Sequence, residues 1–205
     1  MNELNRAHPL ICEIVGSIAT VRFNRPAERN SLSTVNLAEL DTVLSPLIGN
    51  RTLKTIIFTG TDNSFLSGAD IRELALLNGK TARDFSRRGQ LLFQKIAEAP
   101  QTTIAAVNGF CMGGGMDLAL ACDIRLASPT AVFAHPGARL GIITGWGGTQ
   151  RLSRLIGKAR TIELFTTVRR LTSSEALKIG LITGIYEPVL AGAINVAERL
   201  AVTSC

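Results

Sequence analysis

Apolar positions along the chain switch between a spacing of two and a spacing of three to four. Residues 11–15 and 18–23 are strand-like runs on either side of Gly16-Ser17, which predicts a hairpin. Asn24-Arg25-Pro26 then breaks the pattern. Leu37, Leu40, Leu44 and Leu47 recur at intervals of three and four behind Ser33, a residue type that caps helices. Residues 55–59 carry Ile56, Ile57 and Phe58 and stop at Gly60, as a buried strand does. The stripe Phe85, Leu92, Phe93, Ile96 predicts a helix over 81–98, and 103–107 is a further buried strand after Pro100. Residues 116–121 form a short apolar helix, and 123–127 and 131–134 read as strands. A glycine-rich loop follows Pro136, then helices near 146–156 and 158–166. Thr172 and Glu175 have the spacing of a capping box for a helix ending at Gly180, and a last helix covers about 191–201. Strands alternating with helices predict an α/β fold.

Composition narrows the class. With 205 residues and 46% apolar content the chain buries a real core, and one domain over 1–205 is expected. No apolar run approaches the roughly 18 residues of a membrane span. Met1-Asn2-Glu3-Leu4-Asn5-Arg6 lacks the basic-then-apolar order of a signal peptide, so a cytoplasmic location is expected. Cysteines at 12, 111, 122 and 205 fit neither a disulfide framework nor a zinc site and read as reduced thiols. His8 and His135 are too few and too far apart in sequence to suggest a metal centre. The net charge of +6 comes without long basic runs; the longest are pairs such as Arg87-Arg88 and Arg169-Arg170, with no interleaved aromatics. Nucleic acid is therefore not expected as a partner, whereas a phosphate-bearing small molecule suits the field.

Chemistry has three places to sit, each a glycine-containing segment after an apolar strand: 64–70, 108–117, and 135–149. A strand end, a glycine turn and a helix start expose backbone N–H groups able to bind an anion or a developing oxyanion. Phosphate-loop readings fail, because Leu118 stands where a dinucleotide fingerprint needs its third glycine and no Gly-x4-Gly-Lys-Ser/Thr occurs. Asp117, three residues beyond Gly114, reads either as a carboxylate at a helix N-terminus or as an acid/base group beside the N–H donors. Asp70 reads first as a cap, His135 as structural despite being the usual proton carrier, and Trp146 as core or pocket wall. Arg151, Arg154, Lys158 and Arg160 read as a solvated helix face.

At these loops the sequence resembles the enoyl-CoA hydratase/isomerase (crotonase) superfamily. The matching stretches are Asn24-Arg25-Pro26 with Asn30-Ser31-Leu32, Phe65-Leu66-Ser67-Gly68-Ala69-Asp70-Ile71, and Ala105-Ala106-Val107-Asn108-Gly109. Further matches are Gly113-Gly114-Gly115-Met116-Asp117-Leu118-Ala119, Cys122-Asp123-Ile124-Arg125, Leu140-Gly141, Gly147-Gly148-Thr149-Gln150-Arg151-Leu152, and Ala176-Leu177 with Gly180-Leu181. The resemblance spans about residues 10–200. It implies a spiral of repeated ββα units, with a core over about 10–190, assembled as trimers or pairs of trimers. It implies an acyl-CoA thioester as ligand, with CoA as part of the substrate and no separate cofactor or metal. The family's oxyanion donors carry over to the N–H groups of Ala69 and Gly114. The acyl group is expected against Ser31, Ser67, Gly68, Asp70, Ile71, Phe110, Pro136, Gly137 and Leu140. Glycine at the donor turns is expected because a side chain there would block the acyl group.

Two departures qualify the activity that the resemblance implies. Family hydratases use two carboxylates; the first maps onto Asp117, one methylene shorter than the usual Glu, and the second onto Gly137, in His135-Pro136-Gly137. Asp117 then works alone, with a water, or with His135 nearby, and a lone carboxylate fits double-bond isomerisation as well as hydration. On this reading Gly137→Glu raises hydration. The second departure is a helical segment, 191–205, shorter than the family's C-terminal region. An enoyl-CoA hydratase or isomerase is thus expected, against an acyl-CoA-binding or assembly protein without chemistry, or another reaction such as thioester hydrolysis or decarboxylation. Ile71, Leu74, Phe110, Ile142 and Trp146 are acyl-pocket candidates that also read as core.

Overall fold

The structure, a computed structural model, describes residues 8–203. Met1 to Arg6 and Cys205, on which the leader and fourth-thiol expectations rest, lie outside the described residues. The expected hairpin forms from β1 (Leu10–Val15) and β2 (Ile18–Phe23), turning at Gly16 with φ +58°. It opens a six-stranded sheet in which β3 (Thr55–Thr59), β5 (Thr102–Val107), β7 (Ile124–Ala127) and β10 (Gly184–Ile185) add in parallel. A second, four-stranded sheet holds β4 (Ser64–Leu66), β6 (Phe110–Met112), β8 (Val132–Ala134) and β9 (Leu171–Thr172).

The two sheets are built together. Each of β3-β4, β5-β6 and β7-β8 places one strand in the larger sheet and the next in the smaller, and a helical segment follows. Those segments are α2 (Ile71–Leu74) with α3 (Gly79–Ala97), then α4 (Gly114–Ala121), then α5 (Gly148–Ile156) with α6 (Lys158–Thr167). The result is the expected spiral of ββα units, an α/β architecture.

Strand periodicity divides the core in two. Ile56, Phe58, Ala105 and Val107 face the main cluster with α1 (Thr34–Gly49), α3 and α4. Ile57, Ile104 and Ala106 face the other side, where Val189, Ala193 and Ala197 of α8 (Val189–Thr203) cover them. Successive strand residues point to opposite faces, so a strand buried on both sides reads as a continuous apolar run. In α1, Ser33 accepts the Asn36 N–H at 3.1 Å and the four leucines are buried, as their spacing predicts. The capping box of Thr172 and Glu175 starts α7 (Ser173–Lys178).

Boundaries differ in two places that matter for the site. Capped by Asn78, α3 starts at Gly79, two residues ahead of the expected 81, and α4 begins at Gly114 rather than Met116. Gly114 is therefore the first helical residue, where an N–H has no intrahelical acceptor. The strands β4 and β6, expected as loop, span three residues each, too short to show a period. Among the described residues no helix is long and apolar enough to cross a membrane.

Candidate active site

The smaller sheet brings the first two glycine segments together. β4 and β6 are parallel neighbours, with Ser64 opposite Phe110 and Leu66 opposite Cys111, so both chains leave the sheet at the same edge. Each then turns through a glycine with positive φ, Gly68 at +101° and Gly113 at +50°, a region that side chains disfavour. A Cβ on Gly68 would lie 3.2 Å from the Gly114 nitrogen, and one on Gly114 would lie 3.5 Å from the Ala69 nitrogen. The two amides are thus next to each other. Neither N–H meets an acceptor among the described residues, and both residues line one cavity of about 440 Å³.

Asp117 sits in the first turn of α4 and is 1% exposed, yet it lines the same cavity. Its Oδ1 is 3.3 Å from Nε2 of His135, itself 4% exposed. The Thr144 hydroxyl donates to its Oδ2, while accepting the Trp146 N–H at 3.3 Å. Phe165 of α6 packs edge-on against the His135 ring at 4.8 Å. Gly148, the first residue of α5, has room for no Cβ, since one would fall 2.0 Å from Oδ1. The N-terminal end of α5 therefore lies against the carboxylate, where its partial positive charge favours an anion.

Trp146 backs the turn at Gly113-Gly114. Its ring is buried between Phe85 and Phe93, at centroid distances of 5.1 and 5.5 Å. A Cβ on Gly114 would lie 2.3 Å from Cζ3 of that ring. Glycine at 114 is thus required by the indole, where the sequence suggested clearance for an acyl group. Arg151 also departs from a solvated face: it is half-buried and donates to the Trp146 carbonyl at 3.0 Å. Burial lowers its pKa, and the Asp117 charge opposes that shift. The nearby Cys111 thiol is pushed well up by burial, and Cys122 to about 12, so both are held as unreactive thiols.

The structure gathers most of the residues singled out in the sequence. Ser67, Gly68, Ala69, Ile71, Gly114, Asp117, Pro136, Gly137 and Leu140 all line the cavity, as do Leu74, Ile142 and Trp146. Three are not brought there. Asp70 caps α2, accepting the Arg72 N–H at 2.9 Å and pairing with its guanidinium at 2.7 Å. That guanidinium holds its carboxyl down at about 2. Ser31 lies in the turn before α1, and Phe110 opens β6 with its N–H on the Asn63 carbonyl at 2.9 Å. Leu77, Ala82, Phe85, Ser86, Ile143, Thr144 and Gly145 also line it, and none of them was singled out as a site residue in the sequence. Thr144 meets Asp117 across 27 residues, a relation no spacing rule could reveal.

Gly137 lies in the 3-10 turn Pro136–Leu140, which the Ile142 N–H closes onto its carbonyl at 3.0 Å. A Cβ there would lie 2.7 Å from the Ile142 carbonyl oxygen. A glutamate at 137 therefore needs the turn to move, which the expectation for Gly137→Glu did not include.

Known proteins share this arrangement of elements. Residues 13–204 match a family model described as enoyl-CoA hydratase/isomerase. The chain is 40% identical over 200 residues to a short-chain-enoyl-CoA hydratase of Clostridium acetobutylicum, covering 97% of this chain and 75% of that protein. It is 38% identical over 180 residues to a crotonyl-CoA hydratase of Syntrophomonas wolfei, covering 87% and 69% respectively. Among solved structures, an enoyl-CoA hydratase from Bacillus anthracis superposes with a TM-score of 0.90 at 34% identity, covering 95% of this chain and 77% of that one.

Proposed function

The chain belongs to the enoyl-CoA hydratase/isomerase family, and from that premise we propose that it converts enoyl-CoA thioesters by stabilising an enolate-like oxygen and moving protons with Asp117. The thioester carbonyl oxygen lies at the amides of Ala69 and Gly114, with the acyl group along the cavity wall of Leu74, Phe85 and Ile142. As the carbonyl gains charge, two N–H donors already in place stabilise it without reorganisation. The carboxylate of Asp117 takes a proton from water during hydration, or from carbon during double-bond migration. Carbon acids of this kind give up a proton only when the resulting charge is delocalised onto the oxygen, so donors and base act on one step.

One observation supports this reading above the rest: two adjacent backbone N–H groups without an internal acceptor share a cavity with a buried carboxylate. A helix-terminus function for Asp117 alone would not need those amides left open. The chain is expected to assemble as a trimer or a pair of trimers, which light scattering measures.

Turnover of 2-enoyl-CoA and 3-enoyl-CoA substrates by the purified protein, together with calorimetric titration of a saturated acyl-CoA, tests the proposal. Asp117→Asn should lower kcat by about 10²–10⁴-fold and leave acyl-CoA binding in place. Binding with no turnover of any enoyl-CoA supports the acyl-CoA-binding alternative instead. Equal turnover by the Asn variant removes Asp117 from the chemistry.

A further inference from the structure

Hydration needs two protons handled, one leaving water and one reaching the α-carbon, and Gly137 supplies no group for the second. We propose that His135 is that second proton-carrying group and works as a pair with Asp117; the inference rests on the enoyl-CoA reading of this site.

Three observations carry it. His135 Nε2 is 3.3 Å from Asp117 Oδ1, and both residues line the cavity although both are more than nine-tenths buried. A contact of that length is longer than an ideal hydrogen bond, so Asp117 does not engage Nε2 fully. His135 Nδ1 is buried with no partner among the described residues, and Phe165 packs edge-on against the ring at 4.8 Å. A histidine kept only for structure normally satisfies both nitrogens. Finally, a Cβ on Gly137 would lie 2.7 Å from the Ile142 carbonyl oxygen, so the position two residues after His135 takes a carboxylate only if the turn moves.

The step requires a pair that starts with one proton on His135 and with Asp117 ionised. Water adds its oxygen to the β-carbon, and the proton it loses goes to Asp117. The π pair moves through the α-carbon onto the thioester oxygen beside Ala69 and Gly114. The pair returns from that oxygen to bond the α-carbon with the proton of His135 Nε2. Oδ1 then passes the proton taken from water to the vacated Nε2. One water is consumed, one C–O and one C–H bond form, and the pair is restored. Thr144 is a positioning residue here, since it holds the other carboxylate oxygen.

Arg151 on α5 and Cys111 on β6 both feel the Asp117 charge. Neither lines the cavity.

The test compares the parent with His135→Gln, with Asp117→Asn and with the double variant Asp117→Asn/His135→Gln, using crotonyl-CoA hydration across pH 5–9 and calorimetric titration of butyryl-CoA. We expect His135→Gln to lose about 10²–10³-fold in kcat with KM within about threefold, and one limb of the pH profile to disappear. The double variant should be no slower than the worse single variant by more than about threefold, as groups acting as a unit behave. A folded, butyryl-CoA-binding His135→Gln protein with kcat within about threefold of the parent and an unchanged pH profile overturns the proposal. If that variant does not fold, NMR titration of the parent decides. The chain has two histidines, and His8→Gln assigns the imidazole signals. A His135 signal that titrates together with kcat/KM supports the proposal, and one that does not titrate where activity changes overturns it. A parent with no enoyl-CoA turnover fails the functional reading and this inference together; an active parent with an equally active variant fails this inference alone.

Discussion

Gly148 comes so close to Asp117 that a Cβ on it would stand 2.0 Å from the carboxylate Oδ1. The start of α5 and the first turn of α4 are thus in contact through a glycine, and the carboxylate cannot retreat in that direction. Gly148→Ala should force Asp117 away from its place. We expect kcat to fall about 10²-fold, as a displacement near 1 Å at a reacting group does. Overpacking should also cost about 1–3 kcal/mol of stability, read by urea unfolding.

Gly114 and Trp146 should behave as a coupled pair. A Cβ on Gly114 meets the indole at 2.3 Å, so Gly114→Ala must push either the ring or the donor amide. Loss of one oxyanion donor costs about 10²–10³-fold in kcat. Combining it with Trp146→Leu should recover part of that loss, because the smaller side chain gives the methyl room. A double-mutant cycle on kcat/KM measures the coupling, and additive losses would show that the ring and the amide are independent.

Gly137→Glu should not raise hydration by itself. The new Cβ would press on the Ile142 carbonyl at 2.7 Å, and the turn closed by the Ile142 N–H must open first. We expect a lower Tm and no gain in crotonyl-CoA hydration. A tenfold gain would mean that the turn yields cheaply and that a second carboxylate was all the site lacked.

Asp70 predicts a stability effect in acid rather than a catalytic one. The Arg72 guanidinium lowers its carboxyl from an ordinary 3.8 to about 2 on folding. A carboxyl depressed in this way stabilises the fold above its unfolded value, and that contribution disappears as pH falls through about 2. Between pH 5 and 2 the Tm of Asp70→Asn should therefore fall less steeply than that of the parent. Parallel Tm curves would show that the pair contributes nothing measurable.

The helices α1 and α7 were legible because each carries its own signal: a cap residue and either a leucine stripe or a reciprocal box. The strands β3 and β5 were legible because burial on both faces leaves a continuous apolar run. The short strands β4 and β6 carry no such signal, yet they align the turns at Gly68 and Gly113. His135 shows the same limit. Its local surroundings read as a strand end before a proline, and only the approach of α4 makes it a partner of Asp117.

What the amino-acid order determined by itself was local: where helices are capped, which runs are buried, and which turns need glycine at positive φ. Those follow from interactions a few residues apart, and they were enough, with the motif resemblance, to point to the family. What only the tertiary structure decided was adjacency: Ala69 beside Gly114, Asp117 between His135 and Thr144, and Trp146 against Gly114. These contacts join segments separated by tens of residues, and no periodicity encodes them. They arise because sheet pairing and close packing fix the relative height of the turns, leaving Asp70, Ser31 and Phe110 outside the cavity that the same motifs suggested.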